Sequence, residues 1–181
     1  HSKDPKDKKK YNDIINKLRD ENPEATDEEL IILGEETYYY ELVEKDLKTQ
    51  RENIKNSGLN VNLKGVKTKA QAITLLNKLI KESSDTKQIA KWERIKEAVK
   101  DGRQNGWIDP INNGLDGYNA YVVKDNAVAN KKPYTASHEV GHAITWEALG
   151  KKDKKEIMPF AETILGNLEQ YDKKSYDKIV K

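Results

Sequence analysis

His138, Glu139 and His142 are the residues of this chain whose types and spacing can do chemistry. On a helix of about 3.6 residues per turn, positions 138 and 142 share one face roughly a turn apart, so two imidazole nitrogens can converge on one tetrahedral Zn²⁺. Glu139 flanks that face. A carboxylate there can take a proton from a water whose pKa the metal lowers from about 15.7 to about 7, and later pass it to a leaving amine. His-Glu-x-x-His on a helix is the sequence form of metal-assisted amide hydrolysis.

The competing reading is a surface helix carrying two histidines four apart by accident. With ordinary residue usage the accident occurs in roughly one chain in a few hundred of this length. The surroundings argue against it. In a chain that is 35% charged, Thr135, Ala136, Val140, Gly141, Ala143 and Ile144 are all uncharged, and His1 is the only other histidine. A helix packed under a metal site needs such a composition, whereas a solvated helix does not.

The stretch Thr135 to Ile144, with its opening Thr, uncharged residues around both histidines and a closing apolar residue, resembles the extended signature of the zincin metallopeptidases. The variant with Gly141 and Ala143 is similar to that of lethal-factor-type and phage-associated zincins. Metzincins are excluded, because their Gly and third His fall where this chain has Thr145 and Ala148. The resemblance covers about ten residues. It implies a zinc-dependent peptidase, an endopeptidase rather than an exopeptidase, that hydrolyses a peptide or protein substrate with metal-activated water. His138 and His142 would be ligands and Glu139 the general acid/base.

A catalytic zinc takes three protein ligands and keeps one position open. The chain has no Cys, so the third ligand must be a carboxylate. Glu162 lies 20 residues after His142, the separation seen in thermolysin-like gluzincins. A helix running on from His142 to Gly150 covers ~12 Å, and the segment from there to Glu162 is long enough to reverse and return level with the metal. Glu162 borders an apolar stripe of Phe160, Ala161, Ile164, Leu165 and Leu168, but the supporting Asp of thermolysin-like enzymes is replaced by Gly166. Asp153 competes. Gly150-Lys151-Lys152-Asp153 is similar to the GTxD of aspzincins, without the Tyr-Gly that follows there, and Asp153 to Glu156 also reads as a capping box. Glu169 would overshoot by about two turns. A ligand beyond Lys181 is the third option, since lethal-factor-type enzymes place theirs well beyond the motif. Tyr171 and Tyr176 are downstream phenols that could donate to an oxyanion, although a Tyr on an amphipathic helix more often packs, and neither is assigned the role.

The elements that must position these residues read as mostly helical. Tyr11, Ile14, Ile15 and Leu18 form one helical face, stopped by Asn22-Pro23. Thr26 to Glu29 is a capping box opening a long helix toward Ser57-Gly58, and Thr68 to Gln71 and Asp85 to Gln88 repeat the device. The consecutive Tyr38, Tyr39 and Tyr40 point in different directions on a helix and read as packing rather than a ligand platform. Leu59 to Leu63 alternates and is a short strand or an extended linker. Gly102 to Gly117 reads as an irregular segment anchored by Trp107 and Ile108. Ala120 to Val123 and Ala127 to Ala129 read as a β-hairpin just before the motif helix. By the zincin resemblance that hairpin would supply the edge strand on which extended substrate adds; an ordinary covering hairpin is the alternative. The motif helix is expected from about Tyr134, after Pro133, to before Gly150, with Ala136, Val140, Ala143 and Ile144 buried.

These elements make an α+β, mostly helical fold: a zincin-like domain over residues 67–181, with a small antiparallel sheet or hairpin beside the motif helix, preceded by a helical region over residues 1–66. The 181 residues suit one domain or two small ones, and a mean hydropathy of −0.95 implies a modest core. With 33 basic and 31 acidic residues there is no global field to attract nucleic acid, and no apolar run spans a membrane. His1-Ser2 does not read as a natural start, so further domains of a larger parent protein are expected. Two other classes of function stand beside the peptidase. One is a catalytically inactive zincin-fold module of a larger toxin, conjugation or phage protein. The other is nucleic-acid binding through the Lys-rich N-terminus, which salt-sensitive DNA or RNA binding would reveal.

Overall fold

The computed structural model describes residues 5–150. The order of elements is α1 (Pro5–Glu21), α2 (Asp27–Ser57), β1 (Val61–Val66), α3 (Lys69–Glu82), α4 (Thr86–Lys100), β2 (Gly106–Pro110), a 3-10 turn (Asn112–Gly114), β3 (Tyr118–Val123), α5 (Lys124–Ala129) and α6 (Thr135–Gly150). The mostly helical α+β character is as expected.

Local signals set the helix starts. Thr26 and Glu29 exchange side-chain and backbone hydrogen bonds at the start of α2, and Thr68 and Gln71 do the same for α3. At α4 only half of the expected box forms. Asp85 accepts from the N–H groups of Lys87 and Gln88, but the Gln88 side chain reaches 3.1 Å to Asp109 instead of returning to the cap. Of the three tyrosines of α2, Tyr38 lies edge-on to Tyr11 and to Tyr39, while Tyr39 lies under Lys131 and Tyr40 under Lys124.

The sheet has the order β1-β3-β2 and is mixed rather than antiparallel. β1 runs parallel to β3 in the register Val61↔Tyr118, and β2 runs antiparallel to β3 in the register Gly106↔Val122. Helices cover both faces. On one, Val61, Leu63, Ile108, Ala120 and Val122 pack against Val43 and Leu47 of α2 and Ala136, Val140, Ala143 and Ile144 of α6. On the other, Trp107, Tyr121 and Val123 pack against Ala72 and Leu76 of α3 and Val99 of α4. β3 is therefore central and apolar on both sides, as the run Ala120 to Val123 requires. The buried side of α6 is the expected one. β1 belongs to the same sheet as the elements after residue 67, and α2 shares a core with α6, so the helical N-terminal region and the motif domain are built around common packing.

Two strand expectations are corrected. Residues 127–129 are not a strand: Lys124 to Ala129 form α5. Two alanines favour helix there, and the buried Asn126 side chain donates to the carbonyls of Val99 and Gln104, which secures the turn from within. The strand that pairs antiparallel with β3 comes instead from the segment read as irregular. In β2, Trp107 and Asp109 face α4 while Ile108 faces α6. An Asp, a Pro and a leading Gly disguise it, because all three are disfavoured in strands and only the tertiary partners of Asp109 make the site tolerable.

Candidate metal centre

α6 begins under an unusual cap. The N–H of His138 donates to Tyr134 O over 3.1 Å, so Thr135, Ala136 and Ser137 are the first three residues of the helix and His138 the fourth. A Tyr has no short acceptor with which to cap the free N–H groups. Asp46 of α2 supplies one from another helix: its Oδ2 accepts from Ser137 N–H at 3.0 Å, and the N–H of Ala136 also donates to it. Ser137 Oγ accepts from Gln50 Nε2 at 3.0 Å and donates its own proton to Asp46 Oδ1. Asp46, Gln50 and Ser137 are all buried. Burial raises the Asp46 carboxyl above its usual range, while the bonds from Ser137, Gln50 and Ala136 pull it back.

One turn into the helix the two histidines meet. Their Nε2 atoms lie 3.1 Å apart, with the rings nearly perpendicular at 84°. Two nitrogens bound at about 2.05 Å to one tetrahedral ion are separated by roughly 3.3 Å, so this donor pair fits a shared cation. The same separation lets one neutral imidazole donate to the other when no cation is held. His142 is stacked on the Trp146 indole at 5.8 Å and 27°. Burial lowers its pKa, which keeps the ring in the neutral form that ligates metals. Among the described residues no set of three or more His, Cys, Asp or Glu converges on one point. Glu162 and Asp153, the two candidates for the third ligand, lie outside the described residues, as do Glu169, Tyr171 and Tyr176.

Glu139 turns toward the edge of the sheet. A Cβ at Gly106 of β2 would lie 3.2 Å from Glu139 Oε1, so the absence of a side chain at 106 makes room for the carboxyl. Glu139 is only 5% exposed and makes no hydrogen bond among the described residues. Burial pushes its carboxyl up to about 8; Lys91 opposes the rise and Asp109 adds to it. Behind β2, Asp109 accepts from Lys91 Nζ at 2.8 Å, Trp92 Nε1 at 2.9 Å and Trp107 Nε1 at 3.0 Å.

β2, not the expected hairpin, is the edge strand beside Glu139. Val123 N–H donates to Asn105 O, which makes 105/123, 107/121 and 109/119 the bonded pairs and turns the backbone groups of Gly106 and Ile108 outward. Both outward carbonyls carry side-chain donors: Gln104 Nε2 on Gly106 O, and Lys91 Nζ on Ile108 O at 3.0 Å.

The structure thus brings together His138 and His142 and sets Glu139 beside them on the same helix, facing β2. Reading the sequence alone misses Asp46, Gly106, Lys91 and Asp109. Gly106 and Asp109 left a local trace there, as markers of a segment read as irregular. Lys91 and Asp46 act across 18 and 91 residues of chain and carry no spacing rule. No helix among the described residues is long and apolar enough to cross a membrane. No family model, no curated protein and no solved structure matches this chain.

Proposed function

We propose that this chain is a zinc-dependent peptidase domain in which His138 and His142 hold the metal and Glu139 handles the proton. One observation carries the reading: two imidazole nitrogens 3.1 Å apart, one helical turn from each other, beside a buried carboxyl without a hydrogen-bond partner among the described residues. Glu162 completes the ligand set in this proposal, on its spacing from His142. When bound, zinc supplies Lewis-acid polarisation of the reacting groups. The chain's own part is positional. Glu139 Oε1, held against the backbone of β2 at Gly106, would accept a proton from the attacking water and return it to the departing amine once the charge of a bound cation had drawn the carboxyl, raised to about 8 by burial, into its ionised form. The packed face of α6 keeps that carboxyl and both imidazoles on one rigid element.

The test measures zinc content after dialysis together with cleavage of a degenerate peptide library, for the natural chain and its Glu139→Gln, Glu162→Ala and Asp153→Ala variants. About one zinc per chain, lost with Glu162 but not with Asp153, and cleavage abolished by Glu139→Gln are expected. Cleavage that survives Glu139→Gln would overturn the assignment. The second reading, a zincin-fold module that cleaves nothing, is favoured by the occupied edge of β2, where Gln104 and Lys91 take the carbonyls an added substrate strand would use. Zinc retained with no cleavage of any library member selects it.

A further inference from the structure

Holding a divalent cation in the first turns of a helix runs against the helix. The aligned peptide dipoles leave the N-terminus with a positive potential equivalent to roughly half a charge, felt mainly within the first turn. His138 is the fourth residue of α6, inside that turn, and His142 follows a turn later. A cation shared by them faces repulsion that a site further along a helix would escape.

Asp46 is placed to remove it. Its carboxylate sits on the N–H groups of Ala136 and Ser137, immediately before His138 in the chain. Because Ser137 Oγ accepts from Gln50, the hydroxyl proton points to Asp46, and both carboxylate oxygens act as acceptors. That arrangement suits the ionised form. All of these partners are uncharged, and among the described residues no Lys, Arg or His forms an ion pair with Asp46. At 6% exposure its ionised form is a buried negative charge without a counterion among the described residues. Buried carboxylates are seldom kept so unless a cation balances them.

We propose that Asp46 is a positioning residue for the metal: its charge offsets the N-terminal potential of α6 and is itself balanced by the divalent cation that His138 and His142 hold. The proposal rests on the metal reading of the two histidines.

Zinc affinity is measured by competition with a chromophoric chelator at low ionic strength, for the natural chain, Asp46→Asn and Gln50→Met. Circular dichroism and thermal melting of each metal-free protein accompany it. Asp46→Asn keeps the shape and an acceptor but removes the charge, and its zinc dissociation constant rises about ten-fold. Gln50→Met removes one neutral donor, keeps the charge and changes affinity less than two-fold. A natural chain that binds no zinc overturns the metal reading, and this inference with it. Zinc held as tightly by Asp46→Asn as by the natural chain overturns the inference alone, and so does an equal loss in both variants, which would mark the network as merely structural. The natural chain supplies an independent readout should Asp46→Asn fail to fold. Coupling is reciprocal, so a cation that gains ten-fold from the carboxylate lowers that carboxyl's pKa by about one unit. The carbon-13 shift of the Asp46 carboxyl, titrated with and without zinc, reads this directly, and an unmoved midpoint would refute the coupling.

Discussion

Gly106 and Glu139 face each other across the gap between the edge strand and the motif helix, so closely that a Cβ at 106 would lie 3.2 Å from the carboxyl oxygen. The same Cβ would lie 2.5 Å from the Tyr121 carbonyl oxygen, a backbone atom of the neighbouring strand that cannot step aside. Gly106→Ala therefore forces β2 away from β3 or away from α6. A loss of about 1–3 kcal/mol in urea unfolding is expected, the range of overpacked cores. Full stability in Gly106→Ala would show that β2 and α6 have slack, and that the approach to Glu139 is not constrained by the strand.

Asp109 is the anchor behind that strand. Its two oxygens serve both Trp92 and Trp107 indoles, Lys91 and Gln88, linking β2 to α4. Asp109→Ala leaves two largely buried indole N–H groups without their acceptor. Lys91, about a third exposed, can still turn to water. A cost of about 3 kcal/mol follows from the unmet donors, with a shift in tryptophan fluorescence as the indoles change surroundings. Asp109→Asn, which keeps one acceptor oxygen, should lose less. Equal losses in the two variants would contradict the hydrogen-bond account.

How far this was legible in the sequence follows from the reach of each interaction. The capping boxes at Thr26 and Thr68 act over three residues, and the stripe Ala136, Val140, Ala143, Ile144 follows the helical period; both read directly from the chain. The pairing of His138 with His142 is local in the same sense. β2 was hidden because Asp109 is tolerable in a strand only through partners on α4, 17 to 21 residues away. The segment 127–129 was misread because a short apolar run says nothing of its period, and Asn126 decides the outcome through carbonyls more than 20 residues upstream. The cap of α6 was invisible because Asp46 stands 91 residues before Ser137.

The pH dependence of the metal-free protein carries the mark of Asp46. Burial raises its folded-state pKa above that of the unfolded chain, so between the two values the native state holds more protons. Stability from this group is fully present below the ordinary carboxylate pKa and declines as pH rises through the raised one. Urea midpoints of the natural chain and Asp46→Asn, compared from about pH 4 to about pH 7, should diverge, the natural chain losing ground relative to the variant as pH increases. A constant difference across that range would mean that Asp46 keeps its ordinary pKa in the fold.

Glu139 offers the sharpest separation of a working residue from a structural one. A carboxyl kept for stability has partners, and removing it leaves donors unmet and the fold weaker. Glu139 has no hydrogen bond among the described residues, it is buried, and its Oε1 lies beside Gly106. Burying a polar group without such a partner costs up to about 1–3 kcal/mol, less where its oxygens keep some contact with water as here, a burden the fold carries where a reactive group is needed. Replacing Glu139 by Met, of similar length and apolar, should then raise the stability of the metal-free protein by about 2 kcal/mol, or roughly 4–8 °C in melting temperature for a chain of this size. The same variant should have no peptidase activity. A melting temperature that falls instead would show that the carboxyl holds the helix to the sheet, and the chemistry assigned to the His-Glu-x-x-His pattern would lose its base.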